Sequence, residues 1–496
     1  MSSHNASRRR FLRAASVISG SVGAAAAPFA LNLATLGSAA AQTAGGYKAL
    51  VCMFFYGGND SSHMVLRTDP TSFDVYTKMR GSGSDPIALL APGTAPNTGA
   101  ARATPARLGG VTPITPMFSP AVLGSSENSA FTYALHPSMP EVAALFGAGR
   151  LAILGNAGPL IAPMTKAQFQ ANSVPRPRAL GSHNDQQSTW QALGPEGVKV
   201  GWGGHLGDLV ASSNANTTFT SISVSGNAVF CAGDTVFQYQ VGNGGAVQIG
   251  GLAGNLFNSA TAANTLKSIV TASNENLFAN EYGSIVARSV AAQAAFQTAF
   301  NASTVAAPST YVQPSTGNTQ QNGLALQLQT VARIIGARGA LGANRQVFFV
   351  SMGGFDTHSA QNTAGADLLT RISHAIGYFD TALSNLGGTD LRNNVTLFTA
   401  SDFGRTLNSN GDGTDHGWGA SHFVTGGAVS GSEIFGRFPE FGPQGMDSVG
   451  DRYLPTISVD QIGSTLGRWF GASPTELATI FPNLGNFATA DLGFMK

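Results

Sequence analysis

The chain has 496 residues and a formal net charge of +1, and only 11% of it is charged, against about 25% in a typical soluble domain. The first 41 residues hold four arginines and no acid, so the remainder carries about −3, which argues against a nucleic-acid partner. With 62 glycines and so few Lys and Glu, the surface must be solvated by Ser, Thr, Asn and Gln, a composition that fits an exported protein better than a cytosolic one.

Ser7-Arg8-Arg9-Arg10-Phe11-Leu12-Arg13 places paired arginines before Phe-Leu, and a weakly apolar Ala/Gly/Ser-rich stretch follows, ending at Ala39-Ala40-Ala41. This reads as a twin-arginine export signal over residues 1–41, with a mature chain of 42–496 in the periplasm or outside the cell. No later run is long and apolar enough to form a transmembrane segment once the signal is removed. Only Cys52 and Cys231 are present. Cys52 reads as a buried free thiol, and an oxidising compartment leaves a bridge between the two open, because sequence does not supply the geometry.

Lys48 to Tyr56, KALVCMFFY, is a near-continuous apolar run, the pattern of a strand covered on both faces. Residues 70–130, rich in Pro, Gly, Ser and Thr, read as an irregular excursion. A helix is expected over 140–149, a strand over 151–154 and a helix over 182–193, opened by Ser182-His183-Asn184-Asp185. From about 210 to 320 the chain turns polar, with helical patterning near 281–300, and this marks an insertion within a single domain. Helix 323–338 then leads to strand 346–352, helix 364–386 to strand 394–400, His422–Thr425 adds a short strand, and helix 458–470 closes the core. Strand and helix alternating at this spacing predict an α/β fold, a doubly wound, mostly parallel sheet flanked by helices.

Three of these strands end in an acid: Asp60, Asp356 and Asp402. In an open parallel sheet ligands bind beyond the carboxyl ends of the strands, so acids far apart in sequence are expected to meet at one edge. Taken singly, each is ordinary turn or cap chemistry. His358 follows Asp356 by two residues, and His416 and His422 flank the segment after Asp402. Carboxylates and neutral imidazoles together make an oxygen and nitrogen site suited to one or two divalent ions, Zn, Mn, Mg or Ca. Asp60, Asp356, His358, Asp402, His416 and His422 are therefore the candidate metal ligands. Ser182, His183 and Arg405 are the candidate catalytic residues: a helix N-terminus receives an anion, Ser182 is either a nucleophile there or a plain cap, and Arg405 pairs either an anionic substrate or a structural carboxylate.

The stretches GGND (57–60), ALHPSMPEVAALFGAGRLAILGNAG (134–158), SHNDQQSTW (182–190), GGFDTH (353–358), SDFGRT (401–406) and GTDHGWG (413–419), in this order, resemble the exported bacterial family known as domain of unknown function fifteen-oh-one, a branch of the alkaline phosphatase and sulfatase superfamily. The resemblance implies an alkaline-phosphatase-like sheet with metal ligands at its strand ends and a nucleophile where Ser182 stands. It departs from that superfamily at Asp402-Phe403, where metal-binding members often carry Asp-His. The expectation is an exported sulfatase- or phosphatase-like protein, a metal-dependent hydrolase of a small anionic phosphate or sulfate ester. The alternative is an inactive member of the same fold that binds glycans or cell-envelope partners.

Overall fold

The computed structural model describes residues 46–252 and 254–496, so the expected export signal lies outside the described residues. Lys48–Tyr56 form β1, whose residues Ala49 to Phe55 are all buried. Strand β1 is the centre of a ten-stranded sheet. In chain order the other elements that build this sheet and its cover are helices α1 (Pro70–Arg80) and α2 (Pro140–Gly147), strand β2 (Leu151–Gly158), helices α3 (His183–Ala192) and α4 (Trp202–Val210), and strands β3 (Ser221–Ser223), β4 (Tyr239–Gly242) and β5 (Gly245–Ala246). Helices α5 (Ala260–Val270), α6 (Leu277–Ala302) and α7 (Gly323–Gly336), strand β6 (Arg345–Gly353), helix α8 (Gln361–Ser384), strands β7 (Val395–Ser401), β8 (Ala420–Thr425), β9 (Ile434–Phe435) and β10 (Ile457–Ser458), and helix α9 (Val459–Phe470) follow.

The strand order is β9-β2-β8-β7-β1-β6-β3-β4-β5, with β10 also paired to β2. Strands β1, β6, β7, β3 and β4 run parallel, whereas β8 runs antiparallel to both β7 and β2. The expected α/β architecture is present, and β8, with the short β5 antiparallel to β4, makes the sheet mixed. Both faces are covered, which is why the central strands read as unbroken apolar runs rather than alternating ones. Leu50, Cys52 and Phe54 of β1 enter a cluster with Trp190, Trp202, Leu206, Ile462 and Leu466 from α3, α4 and α9. The pleat sends Val51, Met53 and Phe55 to the other face, on which α7 packs against β6 and α8 packs against α7 and α2. Each fully buried side chain of this size stabilises the fold by about 1.5–3 kcal/mol.

Asn322 caps α7 by accepting the N–H groups of Leu324 and Ala325, and Ser458 with Gln461 forms a reciprocal capping box on α9. Cys52 and Cys231 are both buried and free. The stretch expected to be irregular contains α1, begun by the Asp69 side chain on the Ser72 N–H with Pro70 in the first turn. Its buried residues, Ser72, Tyr76 and Arg80, share one face, but two of the three are polar. A hydrophobic pattern could not reveal a helix that anchors itself through a buried arginine.

Candidate functional site

Three strands leave the sheet flush with one another: Tyr56 pairs with Gly353 and Phe55 with Ser401, so the segments after β1, β6 and β7 emerge at one edge. Gly57 makes the first turn at φ +117°, and a Cβ there would stand 2.4 Å from the Asp356 backbone nitrogen. Only glycine lets these two loops touch. Its N–H donates to Asp402 Oδ2 at 3.1 Å. Helix α3 reaches the same edge with its N-terminus, where Ser182 serves as the cap: its Oγ accepts the Asp185 N–H at 3.5 Å and donates to Asp185 Oδ2 at 2.8 Å.

Three imidazoles converge here, each held through Nδ1. His183 Nδ1 lies 2.6 Å from Asp402 Oδ2, His358 Nδ1 2.8 Å from Asp415 Oδ1, and His416 Nδ1 2.8 Å from the Gly181 carbonyl oxygen. A carbonyl oxygen only accepts, so His416 carries its proton on Nδ1, and an ionised carboxylate imposes the same tautomer on the other two. Each Nε2 then presents a bare lone pair, and all three face Asp356. The distances are 3.5 Å from His183 to Oδ2, and 3.0 Å and 3.2 Å from His358 and His416 to Oδ1. His358 Nε2 and His416 Nε2 stand 3.0 Å apart. The ligand atoms of His183, Asp356 and His416 all lie within 4.8 Å of one another. Lone pairs so crowded repel unless a positive charge sits among them.

The cluster is open to solvent: the Asp356 and His358 side chains are 42% and 45% exposed. Partial burial works to raise the Asp356 carboxyl, but the hydrogen bond and charge of Arg405, chief among the groups that oppose it, hold it below the ordinary carboxylate range. The hydrogen bond from His358 likewise lowers Asp415. Asp402 moves the other way, raised by burial against the bonds from Gln187 and His183. Its Oδ2 accepts from Gln187 Nε2 at 2.9 Å, as well as from His183 and Gly57, while its buried Oδ1 makes no hydrogen bond.

The structure therefore brings Asp356, His358, His416 and His183 together and gives the other candidates different places. Asp402 stands behind His183. Arg405 is wholly buried; it donates from Nη1 to Asp356 Oδ1 at 2.6 Å and to the Gly57 carbonyl at 3.3 Å, and binds the Thr414 carbonyl through Nη2, which makes it the support of Asp356. Asp60 is occupied by Arg80, which binds both of its oxygens, and by Gln361 Nε2 at 2.5 Å. His422 lies within β8, in contact with Thr399 Oγ1 at 3.3 Å and packed on Trp190, and burial lowers its imidazole to about 3. Ser182 spends its hydroxyl on the helix cap. Sequence reasoning passed over Asp415, Gln187 and the Gly181 carbonyl. Gln187 sits one turn beyond His183 and Asp415 immediately precedes His416, so only adjacency could have signalled them. A second grouping among the described residues, His205, Asp208 and Asp234, is a loop clasp in which Asp208 Oδ1 accepts the Thr235 and Val236 N–H groups at 2.9 Å and 2.7 Å.

Compared with known proteins, the chain matches no curated protein. Solved structures resemble it distantly. One described as "Crystal structure of Ps i-CgsB" has a TM-score of 0.29 and 11% identity, covering 70% of this chain and 71% of that one. Another, described as "Metabolism of multiple glycosaminoglycans by bacteroides thetaiotaomicron is orchestrated by a versatile core genetic locus (BT33494S-sulf)", has a TM-score of 0.31 and 9% identity, covering 86% of this chain and 73% of that one. Likeness at this level carries no argument about function. The family model described as "Protein of unknown function (DUF1501)" matches residues 47–451, a span that holds the strand-edge cluster and every strand of the sheet but β10, and the chain belongs to this family.

Proposed function

We propose that His183, His358, His416 and Asp356 hold one divalent transition-metal ion, and that the protein is an exported metal-dependent hydrolase of a phosphate or sulfate ester. The observation that carries the reading is the set of three Nε2 lone pairs, each fixed by an acceptor on Nδ1, facing one carboxylate. Such backing of metal-bound imidazoles by carboxylates and carbonyls is the usual outer shell of a metal site. Three nitrogens and one oxygen suit zinc, manganese or iron, whereas Mg²⁺ and Ca²⁺ prefer oxygen. Charge agrees: with Asp356, Asp402 and Asp415 ionised and Arg405 the cation among them, the cluster is left two negative charges in excess, which one divalent ion cancels. Asp60, both of whose oxygens are already taken by Arg80 and Gln361, argues against a second ion there.

When bound, such an ion supplies Lewis acidity to an ester oxygen and acidifies water. The chain does the rest. Asp402, Asp415 and Gly181 fix the three imidazoles, Arg405 keeps Asp356 ionised and oriented, and the N-terminus of α3 offers partial positive charge to an anionic group. The hydroxyl of Ser182 is committed to Asp185, so the attacking group in this reading is water. A second reading, in which the site holds its ion and turns nothing over, is favoured by Arg405, whose Nη1 already occupies Asp356 Oδ1 at 2.6 Å.

Elemental analysis of the purified chain should find about one equivalent of zinc, manganese or iron, lost in His183→Ala, His416→Ala and Asp356→Ala. Chromogenic phosphate monoesters, diesters and sulfates then test turnover. Absence of any bound or bindable metal would overturn both readings; metal without hydrolysis of any ester would leave the second.

A further inference from the structure

The longest helix among the described residues, α6, is sparsely covered. Of its 26 residues only Gly283, Phe296, Ala299 and Phe300 are buried, so its first half has a single buried position. That position marks what the half-helix rests on: a Cβ at Gly283 would meet the Ala272 carbonyl at 3.1 Å and the Val270 carbonyl at 3.5 Å, so the end of α5 lies against it. Away from that contact, Phe278, Tyr282 and Ile285 follow the i, i+4, i+7 spacing of one helix face. With Leu277 beside them, Ile269 at the end of α5 and Phe257 before its start, they are 48–89% exposed. Isolated exposed apolar residues need no explanation, but six on one helical arm do.

At about 150–200 Å² for a whole side chain of this size, the six expose on the order of 800 Å², about what each partner contributes to a standard protein interface. The chemistry of the arm narrows the partner. Residues 245–290 carry only Lys267, Glu275, Glu281 and Arg288, and Arg288 pairs with Glu281 at 2.9 Å. A helix that lies on anionic lipid carries a Lys/Arg-rich polar face, and this one has none to spare. A nearly uncharged apolar face needs another such face. Elsewhere among the described residues the exposed large apolar side chains Met117, Leu123, Val198, Phe237, Val312 and Met446 are scattered, and Val247 and Ile249 border the arm itself, lining a pocket with Ser289 and Val290 of α6, so the matching surface is the arm itself on a second copy.

We propose that two copies of this chain associate across a two-fold axis through α5 and the first half of α6. The contact is isologous, with each copy presenting the same face, and it is independent of the metal site. Light scattering coupled to gel filtration at micromolar concentration should give twice the single-chain mass for the purified chain. Phe278→Glu and Tyr282→Glu, at exposed positions, should each give the single-chain mass with unchanged circular dichroism and unchanged metal content. Val312→Glu, an exposed apolar position off the arm, should keep the doubled mass. A single-chain mass for the unaltered protein, or a doubled mass in both arm variants, would overturn the proposal. Co-sedimentation of a monomeric chain with phosphatidylcholine vesicles would also overturn it and assign the face to lipid.

Discussion

Replacing Asp402 with asparagine separates an imidazole-positioning role from direct ligation. In the native site Asp402 Oδ2 takes three N–H donors, from His183 at 2.6 Å, Gln187 at 2.9 Å and Gly57 at 3.1 Å, while Oδ1 is buried without a hydrogen bond. An asparagine oxygen can keep all three donors, which forces the amide NH₂ into the place of Oδ1. A buried unpaired donor costs about 1–3 kcal/mol of stability. The opposite orientation points NH₂ at three N–H groups and is worse. His183 also loses its anionic partner, and loss of an outer-shell carboxylate typically weakens metal binding about 10–100-fold, equivalent to about 1.4–2.7 kcal/mol. Titration against a chromophoric chelator at neutral pH should show Asp402→Asn binding the same number of ions at that reduced affinity, with a lower unfolding midpoint. Affinity equal to that of the unaltered chain would refute the positioning role. Complete loss of binding, matching Asp356→Ala, would make Asp402 a ligand itself.

Two further outcomes follow from the placement of Asp60 and Ser182. Arg80→Met strips the buried Asp60 carboxylate of both its guanidinium bonds; breaking a buried pair from one side costs about 3–5 kcal/mol, which urea unfolding reads directly, while metal content stays unchanged. Burial works to raise Asp60, but the charge and hydrogen bonds of Arg80 outweigh it and lower its titration below the ordinary carboxylate value. The sign is therefore that of a depressed carboxylate: the pair's contribution is complete above the unfolded carboxylate pKa and is lost as pH falls through the lower folded one, so Arg80→Met should flatten the acid limb of the stability curve. Ser182→Ala should lose about 1 kcal/mol with the helix cap and retain whatever ester turnover the chain has; abolished turnover in a folded variant would restore Ser182 as the nucleophile.

The frame of the fold is legible where burial is two-sided. KALVCMFFY and the runs before Asp356 and Asp402 announce central parallel strands, and Tyr56↔Gly353 and Phe55↔Ser401 put their ends together. That is why Asp356 could be placed at a shared edge from sequence. Asp60 follows a strand in the same way, yet its partner Arg80 sits on a helix hidden in a Pro/Gly-rich stretch, so the acid that looked like a ligand is half of a buried ion pair. His422 shares a segment with His416, but the antiparallel strand that begins at Ala420 draws it into the core beside Trp190. His183 shows the reverse. Its role depends on which ring nitrogen meets Asp402 219 residues away, a fact of tertiary contact that spacing along the chain does not encode.

The position of β1 bears on how the molecule is made. It emerges first among the described strands, yet both of its neighbours, β6 and β7, are synthesised last among the long parallel ones, about 300 and 350 residues later. At ribosomal speeds that is a wait on the order of 15–70 s, during which a stretch with no polar residue between Ala49 and Phe55 has neither strand to pair with. A chain wired in this way reaches its native pairing late and through distant contacts, which slows folding, and its first strand is a natural landing place for a chaperone while the remainder is still being translated.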